Sequence, residues 1–342
     1  MTKEIKDINF EFSGVRFVSG KEASDILKEG LPELITEIEI GFKQLAQGKA
    51  LSLPFINFTT PGLSGIRGHV HFKAGYVEGD DHFVFKYSGG FWGNREAGMR
   101  GSPDSGFFVI FNAFTGKPEM MVEGGDFTLT DYRTAAAGAV AAKYLSNPDS
   151  KDVGIIGNGV QAKLQMIALK EIRPIRSVKV WGRNPDHVKQ YFEWMKGELP
   201  EIAFQEKNTI EETVKDVDVI ITATPSSKAL ISSGWISKGT HITAIGACGP
   251  TMQELDPNIF VRADKVYADS IDACVINGDI HHAIEKGLIK RKQITGELGQ
   301  VIAGMVPGRE KNDEITVIDL VGLGVQDAKA GNWFYKKYFE KK

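Results

Sequence analysis

Apolar and polar positions along this chain follow two rhythms, and the change falls near residue 150. Up to residue 125 the pattern is short and two-fold. Segments 15–18, 51–58, 69–72, 82–86, 107–111 and 119–123 alternate or run apolar between glycine-rich and proline-rich turns, which predicts strands. Ala113-Phe114-Thr115-Gly116-Lys117-Pro118 separates the last two as a hairpin turn would. Two helices come early: Ser19 or Ser24 can cap the first, and Leu31-Pro32-Glu33 opens the second, where Ile35, Ile38, Phe42 and Leu45 recur at helical spacing. Residues 126–146 predict a long helix capped by Thr128 or Thr130, with Asp131 in its first turn. Its body, 134–142, is almost all small residues, which predicts close packing against a neighbour.

From residue 152 the rhythm lengthens. Apolar strands at 153–156, 177–181, 203–204, 217–224, 241–245, 265–269 and 316–320 alternate with helices at 162–172, 185–197, 209–216, 271–285 and 297–304. That alternation predicts an α/β fold with a doubly wound parallel sheet of the Rossmann type. A closing helix runs from Gly322-Leu323-Gly324-Val325-Gln326-Asp327 to Tyr338.

The first strand of the second region carries the strongest chemical signal. It runs into Gly157-Asn158-Gly159-Val160-Gln161-Ala162 and then a helix. Gly157 allows the tight turn, Gly159 lets backbone approach a pyrophosphate, and Ala162 still permits close helix–strand packing. The helix start offers free N–H groups to phosphates. The next strand ends in Gly182-Arg183-Asn184. An NAD-preferring unit usually closes this strand with a carboxylate for the ribose hydroxyls, whereas Arg183 is placed to accept a 2′-phosphate. NADPH is therefore the expected cofactor, with NADH possible. Thr224-Pro225-Ser226-Ser227 and the loop around Cys248 end two further strands on the same edge.

Composition narrows the partners. The 342 residues suggest about two domains. Lys+Arg 41 against Asp+Glu 44, without a long basic run, excludes a nucleic-acid role. Apolar runs are far shorter than the ~20 residues that span a bilayer, and Met1 to Phe10 has no apolar core of a signal peptide. Cys248 and Cys274 form no disulfide framework or metal motif, which fits a reducing cytoplasm. His69, His71 and Lys73 share one strand face and His82 follows, but they complete no metal-ligand spacing, so no metal is expected. Lys86 either binds a carboxylate at a strand end or reaches solvent. Arg133, in an otherwise apolar helix, either binds an anion or pairs with Asp131.

The ordered set Phe85-Lys86-Tyr87, Leu129-Thr130-Asp131-Tyr132-Arg133-Thr134-Ala135-Ala136, Gly157 to Ala162, Ile245-Gly246-Ala247 through Glu254-Leu255, and Gly322 to Asp327 resembles the ornithine cyclodeaminase and mu-crystallin family. The resemblance implies a split chain: residues 1–130 with 321–342 form an α+β substrate-binding and dimerisation domain, and 131–320 form the NADP-binding Rossmann domain. It implies a homodimer and hydride transfer between nicotinamide C4 and the α-carbon of a small amino or imino acid. Lys86 matches the lysine that contacts substrate near its carboxylate, and Arg133 the arginine that reaches substrate carboxylate and cofactor phosphates. The cofactor contacts expected on this basis are Arg133, Thr134, Gly157, Asn158, Gly159, Val160, Gln161, Arg183, Asn184, Thr224, Cys248 and Val321.

The chain departs from the family at telling positions. Cyclodeaminases and alanine dehydrogenases resembling it carry a proton-handling aspartate where Cys248 stands, and a lysine where Met252 stands. A further family arginine is absent from Lys49-Ala50-Leu51-Ser52, with Lys49 a partial substitute; residues 100–105 also differ, and Asp104 or His71 could supply a proton. Imine reduction needs only a hydride and a proton, while deamination also needs a base and an activated water. The expectation is therefore an NAD(P)H-dependent reductase of a cyclic imino acid such as Δ1-pyrroline-2-carboxylate, with Lys86 as catalytic residue. The alternatives are an ornithine cyclodeaminase or amino-acid dehydrogenase, and a crystallin-like protein that binds NADPH or a small ligand without turnover.

Overall fold

The computed structural model describes residues 14–54, 56–99 and 101–341. The segment Met1 to Phe10 and Arg100 lie outside the described residues. Two sheets dominate. The first places Arg16–Val18, Pro118–Glu123, Asp104–Asn112, His82–Gly90, Gly68–Val77 and Ala50–Ser52 side by side, with Ile56–Thr60 also paired to Gly68–Val77. All its pairings are antiparallel except the first. The second is an eight-stranded parallel sheet in the order Ala203–Glu206, Ser177–Trp181, Asp152–Ile156, Val219–Thr222, His241–Ala244, Thr316–Asp319, Lys265–Ala268, Gly296–Glu297. Strand order reverses between Asp152–Ile156 and Val219–Thr222, which puts the ligand crevice of such a sheet beyond their carboxyl ends.

The expected elements form, with several differences in extent, among them strands at Gly68–Val77 and Asp104–Asn112 that outrun the expected 69–72 and 107–111. The segment 51–58 is two strands rather than one, broken where Pro54 can donate no ladder hydrogen bond. The strand expected at 82–86 continues to Gly90, because Ser88, Gly89 and Gly90 pair on both sides, with 69–71 and 104–106. Lys86 is therefore in mid-strand and not at a strand end. The strand at 217–224 shortens to Val219–Thr222, and the helix at 271–285 divides into Ile271–Cys274 and Gly278–Glu285. Gly278 takes φ 76 there, a left-handed conformation that interrupts a helix.

Two helices bind the architecture together. Leu129–Leu145 is buried on most of its circumference. Its small residues allow close contact: a Cβ added to Gly138 would stand 2.0 Å from Gln165 Oε1 on the neighbouring helix Val160–Lys170. The closing helix Gly324–Glu340 returns to the first sheet and presses onto its two central strands. A Cβ at Gly324 would meet Ala74 O at 2.0 Å, and one at Gly331 would meet Val84 Cγ2 at 2.6 Å. No helix among the described residues is long and apolar enough to cross a membrane.

Candidate active site

The closing helix brings a carboxylate to the two central strands. Lys73 and Lys86 are direct cross-strand partners, so their side chains leave the same face side by side. Asp327, in the first turn of Gly324–Glu340, is fully buried against that face. Its Oδ1 lies 2.9 Å from Lys86 Nζ and 2.9 Å from Arg133 Nε. Arg133 Nη1 donates to Gln326 Oε1 at 2.9 Å, and that oxygen also accepts from Leu323 N at 3.1 Å. Lys73 Nζ donates to the carbonyls of Val321 and Gly322 at 3.0 and 2.8 Å. Gly322 N in turn donates to Asp269 Oδ2 at 2.6 Å.

Three cations thus converge on one fully buried carboxylate. Burial opposes ionisation of Asp327, yet Arg133, Lys86 and Lys73 together outweigh it and hold the carboxyl below its ordinary range. Burial pushes the Lys86 ammonium well below the usual lysine value, Arg133 pushes it further, and Asp327 only partly restores it. Lys73 is lowered by burial and then by Arg133. Lys86 is therefore an ammonium disposed to give up its proton, while Arg133 remains a permanent cation. The alternative pairing of Arg133 with Asp131 does not occur. Asp131 accepts from Thr128 N at 3.1 Å and from Gln161 Nε2 at 2.9 Å.

The glycine turn forms a second centre. Gly157 has φ 116, and a Cβ there would stand 2.5 Å from Ala223 O. Gly159 is different: a Cβ there would meet nothing within 4 Å. It precedes the helix Val160–Lys170, whose start has no side-chain cap, so its N–H groups face open space as a phosphate site requires. Asn158 Nδ2 is buried with no hydrogen-bond partner, as is Gln161 Oε1. Open space over a bare helix start, flanked by an orphaned donor, fits a dinucleotide. Arg183 is exposed on the adjacent strand end. Asn184 Oδ1 is occupied as the cap of the helix Pro185–Glu198, accepting from Asp186 N at 2.9 Å and from His187 N at 3.3 Å. Thr134 Oγ1 donates to Thr130 O at 2.8 Å.

Across the crevice, Thr224 donates to Glu254 Oε1 through both its N and its Oγ1, each at 2.6 Å. Gly246 N donates to Glu254 Oε2 at 2.9 Å. Burial raises the Glu254 carboxyl to about 7 against these bonds, so Glu254 ties the two strand-end loops together. Cys248, in the second loop, is half-buried. Burial raises its thiol, while Lys73, Arg133 and Lys86 pull the other way, which sets Cys248 facing the cation cluster.

Other expected residues fall elsewhere. Burial, then Lys73 and Lys86, lower His71 to about 3, so it is a neutral imidazole and not an acid at physiological pH. Asp104, raised to about 6 by burial and Asp126, pairs in register with Gly90, four positions along the strand from Lys86. Lys49 is exposed. His82 lies apart from His69 and His71, between Asn332 Oδ1 at 2.9 Å and Glu119 Oε2 at 3.1 Å. Sequence reasoning quoted Gln326, Asp327 and Glu254 inside motifs without assigning them a role, and it named Lys73 only as a polar strand residue. The available signal was a carboxylate set between apolar Val325 and Ala328 on a helix with small, close-packing residues.

An α/β chain with a dinucleotide cradle and a buried cation cluster across the crevice belongs to a class of two-centre nicotinamide proteins. The family model of the ornithine cyclodeaminase/mu-crystallin family matches residues 21–342, and the chain belongs to that family. It is 36% identical over 304 residues to an uncharacterised cyclodeaminase of Sinorhizobium fredii, covering 89% of this chain and 90% of that one. It is 32% identical over 316 residues to the iminosuccinate reductase of Paracoccus denitrificans, covering 91% and 92%. Among solved structures, the Δ1-pyrroline-2-carboxylate reductase of Thermococcus litoralis in complex with NADH and L-proline superposes with a TM-score of 0.88. Its identity is 31%, and the match covers 96% of this chain and 98% of that one.

Proposed function

We propose that this protein is an NAD(P)H-dependent reductase of an imino acid, with a cyclic ketimine such as Δ1-pyrroline-2-carboxylate as leading substrate. The observation that carries the reading is the pairing of Lys86 and Arg133 with Asp327 opposite a dinucleotide cradle. A bound reduced nicotinamide supplies a hydride to the imine α-carbon. Arg133 and Lys86 hold the substrate carboxylate, and Lys86, with its lowered ammonium, delivers the proton to the imine nitrogen. Cys248 offers no carboxylate to take up a proton from an ammonium substrate, which disfavours deamination.

Arg183 favours NADPH over NADH, since no carboxylate closes that strand. Gly157, Asn158, Gly159, Val160 and Gln161 form the phosphate cradle in this reading. Thr134, Asn184, Thr224, Cys248 and Val321 border the cofactor. Residues 1–130 with 321–342 act as the substrate-binding and dimerisation domain, and 131–320 as the cofactor domain. A homodimer is supported by the outer face of the first sheet. There Phe58, Phe72, Phe85, Tyr87 and Phe107 form a continuous aromatic ladder, with ring centroids between 5.5 and 6.1 Å apart. Leu51, Leu53 and Ile56 beside it are exposed, more apolar surface than a monomer usually leaves in water. The free thiols Cys248 and Cys274 fit the cytoplasm.

One preparation tests the whole reading. Incubated with Δ1-pyrroline-2-carboxylate, it should consume NADPH, yield proline, favour NADPH over NADH, and sediment as a dimer. No turnover there, with ornithine and NAD giving proline and ammonia, would replace it with a cyclodeaminase. Lys86→Ala should abolish turnover and keep NADPH binding, an outcome that a purely ligand-binding protein could not give.

A further inference from the structure

We propose that His281, His282 and Glu285 form a binding site for a divalent transition ion of the zinc type, beside the loop that follows Cys248. The site lies outside the residues assigned to substrate and cofactor, and it does not depend on the reductase reading.

The three residues come from one short helix, Gly278–Glu285. Glu285 follows His282 by three positions and His281 by four, the two spacings that bring helical side chains together. The imidazoles stand side by side, with ring centroids 5.2 Å apart. One ring nitrogen from each histidine and one oxygen of Glu285 all lie within 4.8 Å of one another. His282 Nδ1 stands 3.9 Å from Glu285 Oε2, too far for a hydrogen bond. Ligand atoms ~2.0–2.2 Å from a shared zinc ion are spaced by ~3.4 Å in a tetrahedral site. Glu285 is exposed, so its side chain can rotate to close that gap. Adjacent histidines match no familiar ligand spacing, which is why the sequence points to no metal here.

The tautomers carry the argument further. His281 Nδ1 lies 3.1 Å from the carbonyl oxygen of Val275, and His282 Nε2 lies 2.9 Å from that of Met252. A carbonyl oxygen only accepts, so each of these nitrogens holds the ring proton. In the neutral imidazoles the lone pair is then left on Nε2 of His281 and on Nδ1 of His282. Metal-ligating histidines are oriented in this way, with the other ring N–H given to a backbone carbonyl or carboxylate. Two imidazoles and a carboxylate suit zinc and its neighbours better than Mg2+ or Ca2+, and they leave a fourth position for water. The same carbonyls give the ion a place in the fold. Met252 belongs to the loop after Cys248, and Gly278 N donates to Gly249 O of that loop at 3.2 Å. An ion on His281 and His282 therefore fastens together the helix, the turn at Val275 and the loop that follows Cys248.

The test titrates Zn2+ into the tag-free, chelator-stripped full chain against a chromophoric zinc indicator. One ion per chain should bind with a Kd of about 10 μM or tighter, and Mg2+ or Ca2+ at about 1 mM should not displace it. His281→Asn and His282→Gln each keep an N–H for the carbonyl and remove the ligand nitrogen. Each should weaken zinc by about tenfold or more, while the zinc-free unfolding midpoint stays within about 2 °C of the wild type. Zinc should raise that midpoint in the wild type and not in the double variant. Should a histidine variant not fold, Glu285→Gln decides: it is an exposed change that spares the fold, and it should weaken zinc by about threefold or more. Failure of the wild type to bind at the stated affinity, or equal affinity in wild type and variants, would overturn the proposal and leave both histidines as helix anchors. Zinc binding that disappears in Cys248→Ser and persists in the histidine variants would overturn it too, by assigning the ion to the thiol. Binding is read without substrate or cofactor, so neither result bears on the reductase reading.

Discussion

The two halves of the site are built on opposite principles. The glycine turn works by emptiness: Gly159 leaves space, the helix start leaves N–H groups open, and Asn158 Nδ2 has no protein partner. The cation cluster works by crowding: Lys73, Lys86, Arg133 and Asp327 are buried together by a helix that glycines press onto the sheet. Substitutions should therefore separate the two. In the crowded half a side chain's loss is felt by the fold, and in the empty half by the ligand.

The largest effect is expected where crowding is greatest. Asp327→Asn keeps the shape and removes the carboxylate that pairs with Lys86 and Arg133. Breaking a buried pair by removing one partner typically costs about 3–5 kcal/mol, because it strands the other charge. Lys86, already lowered, would release its proton and recover part of that. Urea unfolding should show the loss, and turnover should fall with it. A change below about 1 kcal/mol would mean that the cluster is hydrated and not a structural centre.

The empty half should show the reverse. Gly159→Ala adds a methyl group where nothing lies within 4 Å, so folding stability should stay within about 1 kcal/mol. The same methyl group occupies the space that a pyrophosphate must enter. NADPH affinity should fall by about tenfold or more, read by quenching of nicotinamide fluorescence. Unchanged affinity would move the phosphates elsewhere and undo the distinction between the halves.

This difference also explains what the sequence could reveal. The parallel sheet and glycine turn were legible because their signals are local: strand, glycines and helix follow one another between Asp152 and Lys170. The proposed NADP preference rests on a signal of the same local kind, Arg183 at the end of the next strand. The cation cluster was only half legible. Lys86 and Arg133 came through family resemblance, whereas Asp327 and Lys73 lie more than 250 residues apart in sequence and meet only when the closing helix docks. Residues 82–90 misled for a related reason. Ser88-Gly89-Gly90 has the composition of a loop, but neighbours on both sides supply its ladder partners, a tertiary fact that overrides local propensity.

The smallest expected effect concerns the border between the halves. Asp131 caps the helix that carries Arg133 and holds Gln161 of the glycine turn at 2.9 Å. Burial raises its carboxyl to about 7, only partly offset by the bonds from Thr128 and Gln161. Dinucleotide phosphates seated near Gln161 would raise it further, so binding should draw in a proton. The sign follows from linkage: the protonated form binds phosphate better, so affinity is highest below about pH 7 and declines as pH rises through and above it. Between about pH 6 and about pH 8.5 the wild-type NADPH affinity should fall by roughly two- to fivefold. Asp131→Asn, which keeps the shape without the titration, should flatten most of that slope while leaving Lys86 and its turnover in place. A slope that persists in Asp131→Asn would assign the proton to Glu254, which burial also raises to about 7 across the crevice.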